Sequence, residues 1–270
     1  MIGVELLFEI IKLTLLTAYL KEEKPVSLLI ISDRPESGKT EIIKNFNGTK
    51  VVALVTDATA YGIWRDFHKE LREGKIKHIL FPDFLTPLSR QKPTVESLIT
   101  TLNALIIEEG LSEIHTGFLE PINIESSRPI GVILAMIRGP YEKHKKTWIQ
   151  NSFLSRLLVL SYRFSDKRVK DIFKSILMDE YRSPTKLSIP VPNQPQSVEC
   201  PLEMGVQLKL LMDDLKGEGE HVYGFRMLKD LRRLAMASAL ADNRDVVDRE
   251  DVDKVKALSS FFNERYEELS

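Results

Sequence analysis

The chain has 270 residues, of which 43% are apolar and 29% charged, with a formal net charge of -1. These values suit a folded protein with a sizeable core and exclude a disordered chain or a globally basic nucleic-acid binder, so any nucleic-acid contact must be local. A single cysteine, Cys200, excludes an internal disulfide framework and a multi-cysteine metal site, and suits a reducing, cytoplasmic setting.

The opening run MIGVELLFEIIKLTLLTAYL is interrupted by Glu5, Glu9 and Lys12, and neither an early basic region nor a small-residue cleavage site accompanies it. It is expected to form an amphipathic helix packed on the core within residues 1–24, with no membrane role. Val26 to Ile31 is an apolar run of strand length, followed by a loop and a helix beginning near Lys39. Val51 to Val55 reads as a second strand, Tyr61 to Glu73 as a helix ending at Gly74, and Ile76 to Phe81 as a third strand. From Thr94 to Glu109 the spacing of Val95, Leu98, Ile99, Leu102, Leu105 and Ile106 predicts a helix that stops at Gly110. A β-hairpin is expected around Ile114 to Ile124, and PIGVILAMI at 129–137 reads as another buried strand.

Strands that are apolar on both faces and alternate with helices imply a parallel sheet covered on each side, which is the α/β class. From about residue 165 helical patterns dominate, broken by the proline-rich stretch at 188–201, where regular structure is not expected. The expected organisation is therefore an N-terminal helix (1–24), an α/β nucleotide-binding domain (25–165) and a smaller helical domain (166–270).

SDRPESGKTE, residues 32–41, supplies the most informative chemistry. Gly38 lets backbone amides approach anionic oxygens, Lys39 can reach outer phosphates, and the Thr40 hydroxyl can hold Mg²⁺. Asp33 stands where the usual phosphate loop has its first Gly; Asp tolerates the left-handed backbone a tight turn asks for better than most residues. Such a loop needs a second carboxylate near the metal, and HILFPDF at 78–84 offers Asp83 at the end of an apolar strand, followed by Phe84 rather than a second acid. Asp83 can be the metal-binding acid; in a shifted register Pro82 takes that position and Asp83 is the base; or Asp83 merely caps the next segment.

With those pieces in order, residues 25 to 257 resemble an AAA+ ATPase of the P-loop class, with a lid most similar to the branch of minichromosome-maintenance helicases and MoxR-type chaperones. GVILAMIRG resembles the strand carrying sensor 1, where Arg138 stands in place of the family's Asn or Thr. NSFLSRLLVLS at 151–161 resembles the segment ending in the arginine finger, which makes Arg156 the candidate to reach a neighbouring subunit's ATP. YGFRMLKDLRRLAMASALADNRDVVDREDV at 223–252 resembles the helicase-type lid, with Arg226 at the sensor 2 position, and Arg232 and Arg233 read as a solvated helix face. The resemblance implies ATP and Mg²⁺ as cofactors. It implies nucleotide contacts from Pro35, Glu36, Ser37, Gly38, Lys39, Thr40, Glu41, Arg138 and Arg226, metal contacts from Thr40 and Asp83, and catalytic roles for Lys39, Asp83 and Arg156. It further implies a homo-oligomer, ring or helical with a hexamer expected, whose ATP sites are shared between subunits.

Three local features bear on what such an ATPase acts on. Tyr61-Gly62-Ile63-Trp64 is either a pore loop with an exposed aromatic or a helix start packing Ile63 and Phe67 inward. The expected hairpin carries Glu120 and Glu125, which does not support a DNA contact there. Lys143, His144, Lys145 and Lys146 lie near Tyr141 and Trp148, a combination that is either a phosphate- and base-binding patch or a solvated charge run. The five histidines lack zinc-helix spacing. The leading expectation is an oligomeric ATPase that remodels or loads a partner, DNA or a DNA-binding protein, in replication, transposition or mobile-element biology. The alternatives are a MoxR-like protein-remodelling chaperone and an ATP-binding switch or scaffold with little hydrolysis.

Overall fold

The structure, a computed structural model, describes residues 5–106, 129–178, 189–216, 224–262 and 267–269. In chain order α1 (Glu5–Leu16) leads to β1 (Leu28–Ser32), α2 (Lys39–Asn45), β2 (Val52–Leu54), α3 (Ala60–Arg72) and β3 (His78–Phe81). There follow α4 (Leu85–Leu88), α5 (Lys92–Ile106), β4 (Gly131–Ile137), α6 (Arg138–Gln150) and β5 (Leu158–Phe164). The remainder is α7 (Asp166–Leu177), α8 (Leu202–Lys216), α9 (Phe225–Ala241), α10 (Arg249–Ser259) and β6 (Glu267–Leu269). The hairpin expected at 114–124 lies outside the described residues.

Among the described residues all strand pairs are parallel, in the order β2-β3-β4-β1-β5-β6. Alternation along the central strand divides the core in two. Leu28 and Ile30 face a cluster that includes α1, α2 and α8 to α10, whereas Leu29 and Ile31 face one built with α3, α5 and α6. Every residue of β1 is buried, which is why the run reads as continuously apolar rather than alternating. The short strand β6 was not anticipated: three residues, Glu267–Leu269, carry no apolar run, and only their return alongside Tyr162–Phe164 makes them a strand.

The N-terminal helix is buried along most of its length and packs chiefly against α9. Arg233 corrects the expectation of a solvated arginine pair. It is 8% exposed and pairs with Glu23 at 2.8 Å and Asp230 at 3.0 Å, so it fastens α9 to the segment that follows α1. A buried guanidinium is tolerable because two carboxylates meet it. The last helix starts where the sequence suggests, through a capping box in which Asp248 and Asp251 satisfy each other's backbone amides while Arg244 donates to Asp251 at 2.8 Å. Between Ile189 and Pro201 there is neither helix nor strand, only isolated bridges of Gln196 to Leu20 and Glu199 to Val246.

One close approach sets the β3–β4 pairing. His78 is wholly buried opposite Gly131 in the register, and its Nε2 lies 3.2 Å from the Val26 carbonyl, which makes Nε2 the protonated nitrogen. Burial drives its pKa down to about 4 and keeps the ring neutral. A Cβ on Gly131 would run into that ring and stand 2.9 Å from the Val26 carbonyl oxygen. Gly131→Ala is expected to lower stability by about 1–3 kcal/mol in urea denaturation. The loss should be smaller when Gly131→Ala is made in a His78→Ala background; equal losses in both backgrounds would show that the ring is not what the methyl meets.

Candidate functional site

In a parallel sheet the loops at the carboxyl ends of the strands form the natural crevice for a ligand. Here the central rung is Ile137–Ser32–Tyr162, with β4 and β5 on either side of β1. Beyond Ser32 the chain turns through residues 33–38 before α2.

Two positive-φ residues make the turn, Glu36 at 60° and Gly38 at 79°. Asp33 does not adopt a left-handed conformation, contrary to the reading that Asp stands there for its backbone tolerance. The turn is completed three residues later, so Asp33 instead keeps its carboxylate near Lys39 and 3.6 Å from Arg34. Pro35 and Glu36 are exposed, whereas Ser37 is buried and Glu41 partly so.

Lys39 is the anomaly of the site. The residue is 8% exposed, and its ammonium donates to the hydroxyls of Ser32 and, at 2.8 Å, Ser37. Burial pulls its pKa down to about 8, opposed by the negative charges of Asp83 and Asp33. A cation so placed has hydroxyl partners but no directly bonded counter-ion, an arrangement that favours an incoming anion. Tyr162, also wholly buried, donates its hydroxyl to the Ser37 carbonyl at 2.7 Å.

Thr40 Oγ1 donates to the Pro82 carbonyl at 3.3 Å, which brings the segment just past β3, one residue before Asp83, against the start of α2. Asp83 is exposed and already accepts from the Leu85 amide at 3.0 Å and the Thr86 hydroxyl at 3.3 Å, while the N-cap position of α4 itself is Phe84. A carboxylate has about four acceptor positions, so those two bonds leave room for water or a metal. Phe84 is fully buried, 5.3 Å from Phe81 and 6.1 Å from Trp148 between ring centroids, and its amide donates to Ala135.

Three arginines singled out in the sequence separate into two places. Arg138 follows Ile137 of the central rung and so starts at the same sheet edge as the loop, with Nε donating to Glu142 at 3.1 Å. Arg156 lies at the opposite edge: β5 begins two residues later, where the Leu158 amide donates to Ser27 just before β1. Its guanidinium donates to the Ser152 carbonyl, and Arg226 from the start of α9 donates to the neighbouring Ser155 hydroxyl at 2.6 Å. About 13 Å of strand separates that edge from the loop, at roughly 3.3 Å per residue step.

The readings of two other features can now be decided. Tyr61 is 46% exposed but belongs to the first turn of α3, capped by Thr59, with Ile63 and Trp64 buried behind it. Tyr141 and Trp148 are 1% and 2% exposed and pack with Phe84 and Phe153, so they cannot stack a base, while Lys143 and Lys146 are exposed and His144 and Lys145 half-buried. Ser32 and Tyr162 were not legible as site residues, since a serine at a strand end and a tyrosine inside one both read as ordinary sheet positions. No helix among the described residues is long and apolar enough to cross a membrane.

No protein-family model matches the chain, and no curated protein does. Among solved structures it is similar to a full-length MCM homologue from Methanopyrus kandleri, with a TM-score of 0.55 and 16% identity. The likeness covers 98% of this chain and 56% of that one, so the chain spans a little over half the length of that protein. At this identity it is the fold that is shared.

Lys39→Met tests the buried ammonium. Below about pH 8 both folded and unfolded wild-type chains carry the charge and the folded one bears its burial; between about 8 and 10.5 the folded chain has released the proton and the penalty fades. The variant is therefore expected to be more stable than wild type at pH 7 by on the order of 2 kcal/mol, with the gap closing toward pH 10. Denaturation curves across that range check it, and a pH-independent gap would show that Lys39 is not held as described.

Proposed function

We propose that this chain is an AAA+ ATPase that works as an oligomer. The observation carrying the proposal is the buried Lys39 at the carboxyl end of the central strand, held by Ser32 and Ser37 beneath a turn made at Glu36 and Gly38. Nucleotide phosphates would take over from the two hydroxyls and give the ammonium the counter-charge it lacks. Thr40 and Asp83 suit Mg²⁺, a hydroxyl from the start of α2 and a carboxylate one residue past the Pro82 that accepts from it, and such an ion would neutralise charge on the phosphates. Pro35 to Glu41 would wrap the nucleotide, and Arg138, one residue past the central rung, lies within the same edge.

Sharing of sites between subunits is supported by the position of Arg156. A side chain at the amino edge of the sheet cannot serve phosphates at the carboxyl edge of its own chain, but it can serve those of a neighbour. Arg226 joins it through Ser155, so both would be offered to one neighbouring site. A subunit contact is also supported by the exposed apolar side chains of α7, Phe173, Ile176 and Leu177, which begin less than twenty residues past Arg156. The partner is proposed to be DNA or a DNA-binding protein, on the lid resemblance and the shared fold, and the site of action the cytoplasm.

A second reading has its own observation. Phe84 is locked in an aromatic cluster where an acidic residue would polarise the attacking water, which leaves Asp83 as the acid this strand offers and favours an ATP-binding switch with slow turnover.

Mixing separates these readings. Lys39→Ala and Arg156→Ala are each expected to lower ATP turnover at least a hundredfold, while Arg156→Ala still binds nucleotide. An equal mixture should recover about a quarter of the wild-type rate, because one interface in four unites an intact Lys39 with an intact Arg156. No recovery on mixing would contradict shared sites; nucleotide-dependent assembly without wild-type turnover would select the switch.

A further inference from the structure

We propose that Tyr162 is a positioning residue for phosphate binding, holding the Ser37–Gly38 peptide so that the Gly38 amide faces the nucleotide; this rests on the nucleotide reading of the loop. A trans peptide carries its carbonyl and its N–H on opposite sides of one plane, so fixing one direction fixes the other. No peptide bond among the described residues is cis, and the Ser37 carbonyl is turned inward onto the Tyr162 hydroxyl at 2.7 Å. The Gly38 N–H must therefore point away from the sheet, and it has no hydrogen-bond acceptor among the described residues.

The same contact bears on the lysine. Ser37 accepts the Lys39 ammonium through its hydroxyl and the Tyr162 hydroxyl through its carbonyl, so one residue links the two. Tyr162 is rigidly supplied: it pairs directly with Ser32 in the register, is fully buried, and packs edge-on against Phe164 at 6.0 Å. Ser32, its partner across the strands, is the other hydroxyl holding Lys39. Burial, reinforced by Asp33 and only partly opposed by the bond to Ser37, raises the phenol pKa, so Tyr162 remains a donor throughout the neutral range. Tyr162 thus sets the direction of a backbone donor and the resting place of the ammonium without touching the ligand, a role that a buried strand tyrosine does not advertise in sequence.

Tyr162→Phe removes one oxygen and little else. With Mg-ADP as the probe, calorimetry is expected to give about tenfold weaker binding than wild type. The Gly38 amide resonance, which should move strongly when the wild-type chain binds Mg-ADP, should move much less in the variant. A merely structural tyrosine would lower the melting temperature and leave the Gly38 response intact. Tyr162→Met, which also lacks the hydroxyl, serves if the Phe variant does not fold. Wild-type affinity with an unchanged Gly38 shift in either variant would overturn the positioning role alone. If the wild-type chain binds no Mg-ADP, the nucleotide reading falls and this proposal with it.

Discussion

A lysine ammonium held inside the protein without a directly bonded counter-ion is the constraint on which the site depends. Such a group is costly to bury and is tolerated only where hydroxyls meet it and negative charges lie within reach. Ser32 and Ser37 provide the first, Asp33 and Asp83 the second. Each of these is delivered by a different part of the chain: the end of the central strand, the turn beyond it, and the end of β3. The parallel sheet matters because it brings those carboxyl ends to one edge, and the bond from Thr40 to Pro82 keeps the two strand ends in contact.

The same sheet underlies the proposed sharing of sites between chains. Parallel strands have all their starts at one edge and all their ends at the other. A basic group at the start of β5 is then a strand's length from a ligand at the end of β1. Arg156 and Arg226 meet at Ser155 on the far edge, so an assembly that sets one chain's amino edge beside the next chain's carboxyl edge would bring them to the phosphates. Catalysis by positioned charge needs that kind of delivery more than it needs any special side chain. Phe84, one residue past Asp83, is held by contrast in an aromatic cluster with Phe81 and Trp148.

Much of this was legible in the sequence, for a physical reason. Strands buried on both faces are written as apolar runs, and the turn around Gly38 sits between one such run and a helix, so β1 to β4 and the loop could be read locally, whereas β5 could be read only as part of an arginine-bearing segment. What escaped was long-range. β6 is a strand only because it lies beside β5; Arg233 is buried only because Glu23 comes back to meet it; Tyr162 matters only because its hydroxyl reaches a carbonyl 125 residues earlier. Tyr141 and Trp148 left two readings open, a nucleic-acid surface and a solvated charge run, which only their burial separates. Asp33 does not use the backbone tolerance expected of it; what it contributes is a negative charge near Lys39.

The most direct test of the central claim is proton uptake on nucleotide binding, measured by calorimetry at pH 8 in two buffers of different ionisation enthalpy. With Lys39 titrating near 8 in the free chain, about half of the molecules lack the proton there, and phosphates beside the ammonium should draw it back. The account predicts uptake of roughly half a proton per Mg-ADP bound at pH 8, falling away toward pH 6. It also predicts no such uptake in any residual binding by Lys39→Met. Binding without uptake at pH 8, or equal uptake by the variant, would contradict the claim that the buried lysine is the phosphate-binding group.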